Sequence, residues 1–222
     1  MEGGLSKFVH AFLSIPKTIY FNFIVFGLKG IKLPVFISFK TKIGEIHKGT
    51  ILIDCKYSPF LITFGYGGSR GVISNRRSEI YLSKHSKIVF HGKAQFAEGC
   101  SIRNAGYVEI GKRSSMNKNS FISCYNSIKI GDNVTAGWNV NIRDSDGHYM
   151  IKNGIKQKLD APVCIGNHIW ICSFSDILKG VKVSDDSVIA YRSLVISSFN
   201  EKNVLIGGTP AKIIQRNINW EM

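Results

Sequence analysis

Two aspartates and a histidine fall within the stretch DSDGHYM, residues 144–150, as Asp144, Asp146 and His148. A neutral imidazole, which ordinarily titrates near ~6.5, is suited to take a proton from a hydroxyl or an amine at neutral pH. A carboxylate beside the ring would fix its tautomer and stabilise the imidazolium that forms. Asp146 and Asp144 are the candidates, although close sequence neighbours often cannot reach the same ring. The plain alternative is a solvated loop histidine among turn-forming aspartates, and the triplet by itself does not decide between the two. The other histidines (His10, His47, His85, His91, His168) have no partner spaced as a metal ligand would be. No metal site is therefore expected. The five cysteines form no CxxC pair and their number is odd, which argues against a disulfide framework and for reduced thiols in a cytosolic protein.

What gives His148 weight is its place in a repeat. From Phe90 onward, apolar residues recur at six, six and eight: Phe90, Phe96, Ile102; Ile110, Met116, Ile122; Ile130, Ala136, Ile142. After an interruption the step is strictly six: Ile165, Ile171, Ile177, Val183, Ile189, Val195. A second column runs two residues earlier through Ile88, Val108, Ile128, Val163, Ile169 and Val181. A helix needs spacings of three and four, and a hairpin sheet needs turn signals every eight to twelve residues. Apolar pairs at i and i+2, repeated every six, describe short strands joined by tight corners. Three such sides make a coil, and stacked coils make a parallel solenoid whose columns superpose at about 4.8 Å. His148 lies six residues after Ile142, in the slot where the next core residue would stand. A polar, lysine-rich excursion follows it to Asp160, and a loop leaving a rigid scaffold is where a site is expected.

The series PVCIGNHIWICSFSDILKGVKVSDDSVIAYRSLV and the closing IGGTPAKIIQR (206–216) resemble the hexapeptide-repeat acyltransferases over roughly residues 80–216. The resemblance implies an all-β, left-handed parallel β-helix, assembled as a homotrimer. Residues 1–40 would be an N-terminal amphipathic or capping segment, 41–205 the solenoid with loop 143–162 inserted, and 206–222 a C-terminal tail. It also implies acetyl-CoA as cosubstrate, His148 as general base, and a pantetheine groove between subunits. Trp170 would line that groove, Ser173 would offer its backbone N–H to the thioester oxygen, and Ala190 would lie against the cofactor. Lys212 and Arg216 would meet the phosphates. Ordinary packing for Trp170 and a solvated basic tail for Lys212 and Arg216 stand beside those roles. Cys172, and Ala190-Tyr191-Arg192, replace residues that the family keeps as glycine or small, which puts the donor contacts in question.

The first half is the more basic: residues 1–87 hold 13 basic and 4 acidic residues, net +9, against 16 and 11, net +5, for the remainder. That balance suits an anionic surface or polymer. Residues 7–39 are apolar, aromatic and basic. Pro16 and Pro34 argue against one continuous helix, and the apolar run Ile19–Leu28 is too short to span a bilayer. Two readings stand for this segment: a cap over the first coil, or an amphipathic element on an anionic inner leaflet. No secretory signal is expected. PKTIYFNF…IKLPVFIS also resembles the N-termini of acyltransferases from surface-glycan gene clusters. The expectation is a cytoplasmic O-acetyltransferase, peripheral to the inner membrane in the second reading, acting on a sugar hydroxyl of a surface glycan or its precursor. An amino-sugar N-acetyltransferase and a non-catalytic glycan-binding scaffold are the alternatives. Charge alone, with no binding motif, does not support a nucleic-acid partner.

Overall fold

The computed structural model describes residues 4–69 and 71–221. It is a solenoid of short strands in three parallel sheets, visited in rotation. The first sheet has nine strands, from β1 (Val35–Ile37) to Ala211–Arg216. The second has seven, from Lys42–Ile43 to Leu194–Val195, and the third six, from Ile51–Ile53 to Lys182–Val183. All fifteen residues of the main apolar column are buried, none more than 6% exposed. They stack in register as the period requires: Ile102 on Ile122 on Ile142 on Ile177 on Val195 in the second sheet, and Phe96 on Met116 on Ala136 on Ile171 on Ile189 on Ile206 in the first. Coils begin at Val35, earlier than the expected boundary at 41, and are irregularly spaced up to Phe90; the first sheet continues past 205 into a closing hairpin of Val204–Gly208 with Ala211–Arg216.

The extra two residues of each 6+6+8 coil sit at the corner between the second and third sheets. There an inward residue two places after the column, Asn104 or Cys124, occupies the widened corner and is fully buried. Asn104 holds its corner by donating to the Lys87 carbonyl and accepting from Gly106 N–H, both at 3.0 Å.

The N-terminal segment takes the capping form, with one difference: Pro16 does not interrupt its helix. Gly4–Phe26 is one α-helix, α1, running through Pro16, and a 3-10 turn, Gly27–Lys32, follows it. Pro16 removes only the bond its N–H would have made to the preceding turn. The helix is held from its inner side. Ser14, Thr18 and Asn22, spaced by four, lie on one face and are buried. Val35 N–H donates to Asn22 Oδ1 (3.1 Å), Ile37 N–H to Thr18 Oγ1 (3.1 Å) and Phe39 N–H to Ser14 Oγ (3.0 Å). Asn22 Nδ2 donates to the Val35 carbonyl at 2.6 Å, and Thr18 Oγ1 to that of Ile37 at 3.2 Å. Lys17 Nζ reaches the carbonyls of Phe39 (2.5 Å) and Thr41 (2.7 Å). α1 thus stands where another strand would pair with the open edge of β1, and every bond it makes there satisfies a backbone group that would otherwise cost about 1–3 kcal/mol if buried unpaired.

Candidate functional site

Between Phe90 and Val195 the hexad register breaks once, between Ile142 in the second sheet and Ile165 in the third; an earlier excursion, 65–78, separates Ile62–Phe64 from Glu79–Leu82. The chain between Ile142 and Ile165 leaves the corner as a loop closed at its neck. Ser145 bridges Asp160, Asp146 N–H donates to the Leu159 carbonyl (3.0 Å), and Ala161 N–H donates to that of Asp144 (2.9 Å). A hairpin, Ile151–Lys152 against Ile155–Lys156, forms its tip across Asn153 and Gly154, both at positive φ as a tight two-residue turn requires. Gly147, at φ 77°, turns the chain just before His148, so the imidazole is presented on an exposed bend. Among the described residues His148 makes no hydrogen bond, so its ring is available to a substrate.

Neither aspartate orients that ring, which corrects the sequence reading. Asp144 is the next member of the inward corner column after Asn104 and Cys124, and it is fully buried. Its carboxyl oxygens accept from Tyr125 N–H and Asn126 N–H, each at 2.8 Å, and from the Cys124 thiol at 3.3 Å. It therefore ties the corner of one coil to the root of the loop above. Burial, with the Asp144 carboxylate alongside, pushes the Cys124 thiol far above its ordinary range. Asp146 pairs with Lys179 at 2.5 Å, and the same ammonium donates to the Lys158 carbonyl at 2.5 Å. Lys179, which sequence reasoning missed, clamps both arms of the loop. Only its position in the coil above the break could have signalled it.

The residues assigned to the donor lie elsewhere on the prism. Trp170 is on the first sheet, 42% exposed, and Ser173 and Ala190 are on successive coils at the corner between the first and second sheets. Ser173 Oγ accepts from Trp138 N–H at 3.0 Å. Among the described residues the Ser173 N–H has no acceptor, which leaves it free for an incoming oxygen. Gly137 lies directly beneath, where a Cβ would come within 2.7 Å of that nitrogen. On the coils above, Phe174 and Tyr191 meet edge to face (centroids 5.5 Å apart), with the Arg192 guanidinium 5.5 Å from the Tyr191 ring and 5.8 Å from that of Phe174. Lys212 is exposed, but Arg216 is held bidentately by Glu201 (2.7 and 3.1 Å), so the expected free phosphate ligand is an ion pair instead. Trp220, also missed, stacks on His168 with centroids 4.4 Å apart and stands 6.1 Å from Trp170, so the tail folds back beside the predicted groove wall.

Known proteins share this pattern. An uncharacterised 24.8 kDa protein of the cps region of Klebsiella pneumoniae is 39% identical over 97 residues, 44% of this chain and 43% of that one. The galactoside O-acetyltransferase of Escherichia coli K12 is 35% identical over 115 residues, 50% of this chain and 55% of that one. The polysialic acid O-acetyltransferase of Neisseria meningitidis is 32% identical over 124 residues, 54% of this chain and 58% of that one, so the chain is similar to sugar acetyltransferases over about half its length. No protein-family model matches it. Among solved structures, a polysialic-acid-specific acetyltransferase superposes with a TM-score of 0.55 at 21% identity, covering 85% of this chain and 89% of that one, a likeness of fold. The chain spans about half the length of the curated relatives it matches.

Proposed function

We propose that this chain is a hexapeptide-repeat O-acetyltransferase that moves an acetyl group from acetyl-CoA to a sugar hydroxyl of a surface glycan or its precursor. It works on the cytoplasmic side as a homotrimer of left-handed coils. The observation that carries the reading is the break in the register after Ile142, which presents a His148 with no hydrogen bond among the described residues on a loop anchored at both arms. The imidazole takes the proton of the acceptor hydroxyl as its oxygen attacks the thioester carbonyl. The oxyanion that develops meets the Ser173 N–H, a contribution of about 3 kcal/mol for a donor of this kind. The tetrahedral adduct then collapses, and the thiolate leaves with the proton returned by the imidazolium. No acyl-enzyme is required. Cys100 and Cys124 are buried with raised thiol pKa values, that of Cys100 pushed up to about 12, so neither is suited to act as a nucleophile.

His148 and the donor residues occupy different corners of one chain, so the reading requires two copies to form each site. The loop tip supports this. Tyr149, Met150, Ile151 and Ile155 are each more than half exposed, an apolar surface suited to a neighbouring subunit. His148→Ala should reduce acetyl transfer to a glycan by about 100-fold while leaving the melting curve unchanged. Near-normal turnover would reject the assignment. A second reading, a glycan-binding module without catalysis, is favoured by one feature: Phe174, Tyr191 and Arg192 project where bare backbone would face the donor. Calorimetric titration with acetyl-CoA separates the two, since the module would give no heat of binding.

A further inference from the structure

α1 faces the solenoid with the wrong side for a soluble helix. The docked face carries Ser14, Thr18 and Asn22 with the buried Phe21 and Val25, and the outward face carries most of the apolar residues. Leu5 is 78% exposed, Phe8 69%, Phe12 64% and Tyr20 55%, and Leu28 and Ile31 in the following turn are 89% and 73% exposed. Val9, Leu13, Ile15, Ile19, Phe23 and Ile24 continue the surface between them. A water-soluble helix places its apolar stripe against the core and its charges outside. An outward apolar face of this extent marks a surface that another apolar phase covers.

The charge pattern names that phase. From residue 3 to residue 44 there are six lysines and no acidic residue. Lys7, Lys29, Lys32, Lys40 and Lys42 are exposed around the apolar face. Beside α1 lies a cleft of about 940 Å³ where Pro16 and Tyr20 face Lys40, Lys42, Arg76 and Arg77, with Glu98 as an acidic group in its lining. On the other flank an apolar groove of about 220 Å³ opens between Phe8, Phe12, Ile15, Leu33, Phe36 and Phe60. Aromatic and aliphatic side chains ringed by lysine are the composition of a helix lying in the headgroup plane of an anionic bilayer.

The run Ile19–Leu28 is short, but Leu5–Lys32 as a whole is long and apolar enough, by length and composition, to cross a membrane. It does not lie free to do so. The bonds from Ser14, Thr18 and Asn22 to β1 fix the helix along the end of the solenoid, and a helix held lengthwise on a folded coil lies on a surface.

We infer that the outward face of α1 and the 3-10 turn is a docking surface for an anionic lipid bilayer, with the apolar side chains in the acyl boundary and the flanking lysines and arginines on lipid phosphates. This does not depend on the acetyl-transfer reading. The test is cosedimentation of the full chain with vesicles of equal parts phosphatidylcholine and phosphatidylglycerol, and with phosphatidylcholine alone. The expected result is binding to the anionic vesicles that weakens with salt and falls by about tenfold or more in Phe8→Glu/Phe12→Glu. Acetyl transfer to a soluble glycan is read in parallel and should not change, so loss of docking is distinguished from loss of catalysis. Absence of wild-type binding to the anionic vesicles overturns the inference. So does light scattering that shows this face joining copies of the chain without vesicle binding. If the double variant melts early, Phe12→Trp replaces it. Quenching of its new emission by brominated phosphatidylglycerol supports the inference, and no quenching overturns it.

Discussion

The buried Asp144 gives the sharpest separation between a structural and a chemical reading of the DSDGH stretch. Asp144→Ala removes the acceptor of two backbone N–H groups, Tyr125 and Asn126, each at 2.8 Å, at a residue with no exposed surface. A buried donor left without an acceptor costs about 1–3 kcal/mol. Tyr125 and Asn126 are themselves at an exposed corner, where water can partly replace the lost partner, so the lower half of that range applies to each. The sum is about 2–4 kcal/mol, which for a chain of this size lowers Tm by roughly 5–15 °C. Asp144→Asn keeps one acceptor oxygen and should lose about half as much. Thermal melts followed by circular dichroism measure this directly, with acetyl transfer assayed well below the variant's Tm. Because the carboxyl group points into the corner, folded Asp144→Asn should keep turnover within about tenfold of wild type. A base-orienting aspartate would instead be expected to cost about 10⁴-fold when made Asn. An Asp144→Ala melt within a degree of wild type would refute the structural argument. A collapse of turnover in stable Asp144→Asn would restore the carboxylate to the catalytic unit.

Other expectations follow from the same geometry. Lys179→Ala frees both arms of the loop and should speed tryptic cleavage at Lys152, Lys156 and Lys158, while changing global stability by less than about 1 kcal/mol, as for a partly exposed ion pair. Thiol labelling of the native protein at pH 8 should modify Cys55 first and leave Cys100 and Cys124 unreacted until denaturant is added, because both are buried and their pKa values are raised, so the thiolate forms only above that pH. Glu201→Gln should release Arg216 and, if Arg216 serves a phosphate, tighten acetyl-CoA binding measured by calorimetry; unchanged affinity would remove Arg216 from the donor site. Mixing His148→Ala subunits with Trp170→Glu subunits should recover activity that neither variant shows alone, since each mixed trimer would hold one intact site.

Legibility from sequence divides along physical lines. The column was readable because a stacked coil repeats its buried positions at a fixed interval, so Ile102, Ile122 and Ile142 announce one another before any coordinate is known. His148 stood out for the converse reason: a titratable ring stood in a slot where every other member is apolar, and its role remains the proposal that the His148→Ala assay tests. The role of Asp144 was not readable. Its partners at 125 and 126 lie far back along the chain and become neighbours only when coils superpose, and an aspartate beside a histidine in sequence suggests the wrong contact. Arg216 failed similarly, because Glu201 reaches it only after the closing hairpin forms. α1 misled through its polarity. Pattern reading assigns apolar residues to the inside, and here the inside is a row of backbone groups at a sheet edge, for which serine, threonine and asparagine are the fitting partners.

The same inversion bears on what the loop of His148 could reach under the proposed function. α1 covers the free edge of β1, so the direction from the helix into the solenoid is the direction in which strands stack. The strand bearing Trp170 is the fifth beyond β1 in the first sheet, and the loop of His148 leaves the strand four beyond the start of the second. At about 4.8 Å per strand the site stands roughly 20–24 Å from the helix-bearing end. If α1 lies in the headgroup plane and His148 is the base, a sugar attached directly to a lipid phosphate would lie at the wrong height, and the hydroxyl presented to His148 would belong to a residue further out along a glycan. A docked enzyme would then select its acceptor by distance from the bilayer as well as by pocket shape, and the N-terminal cap, remote from the chemistry, would set that distance.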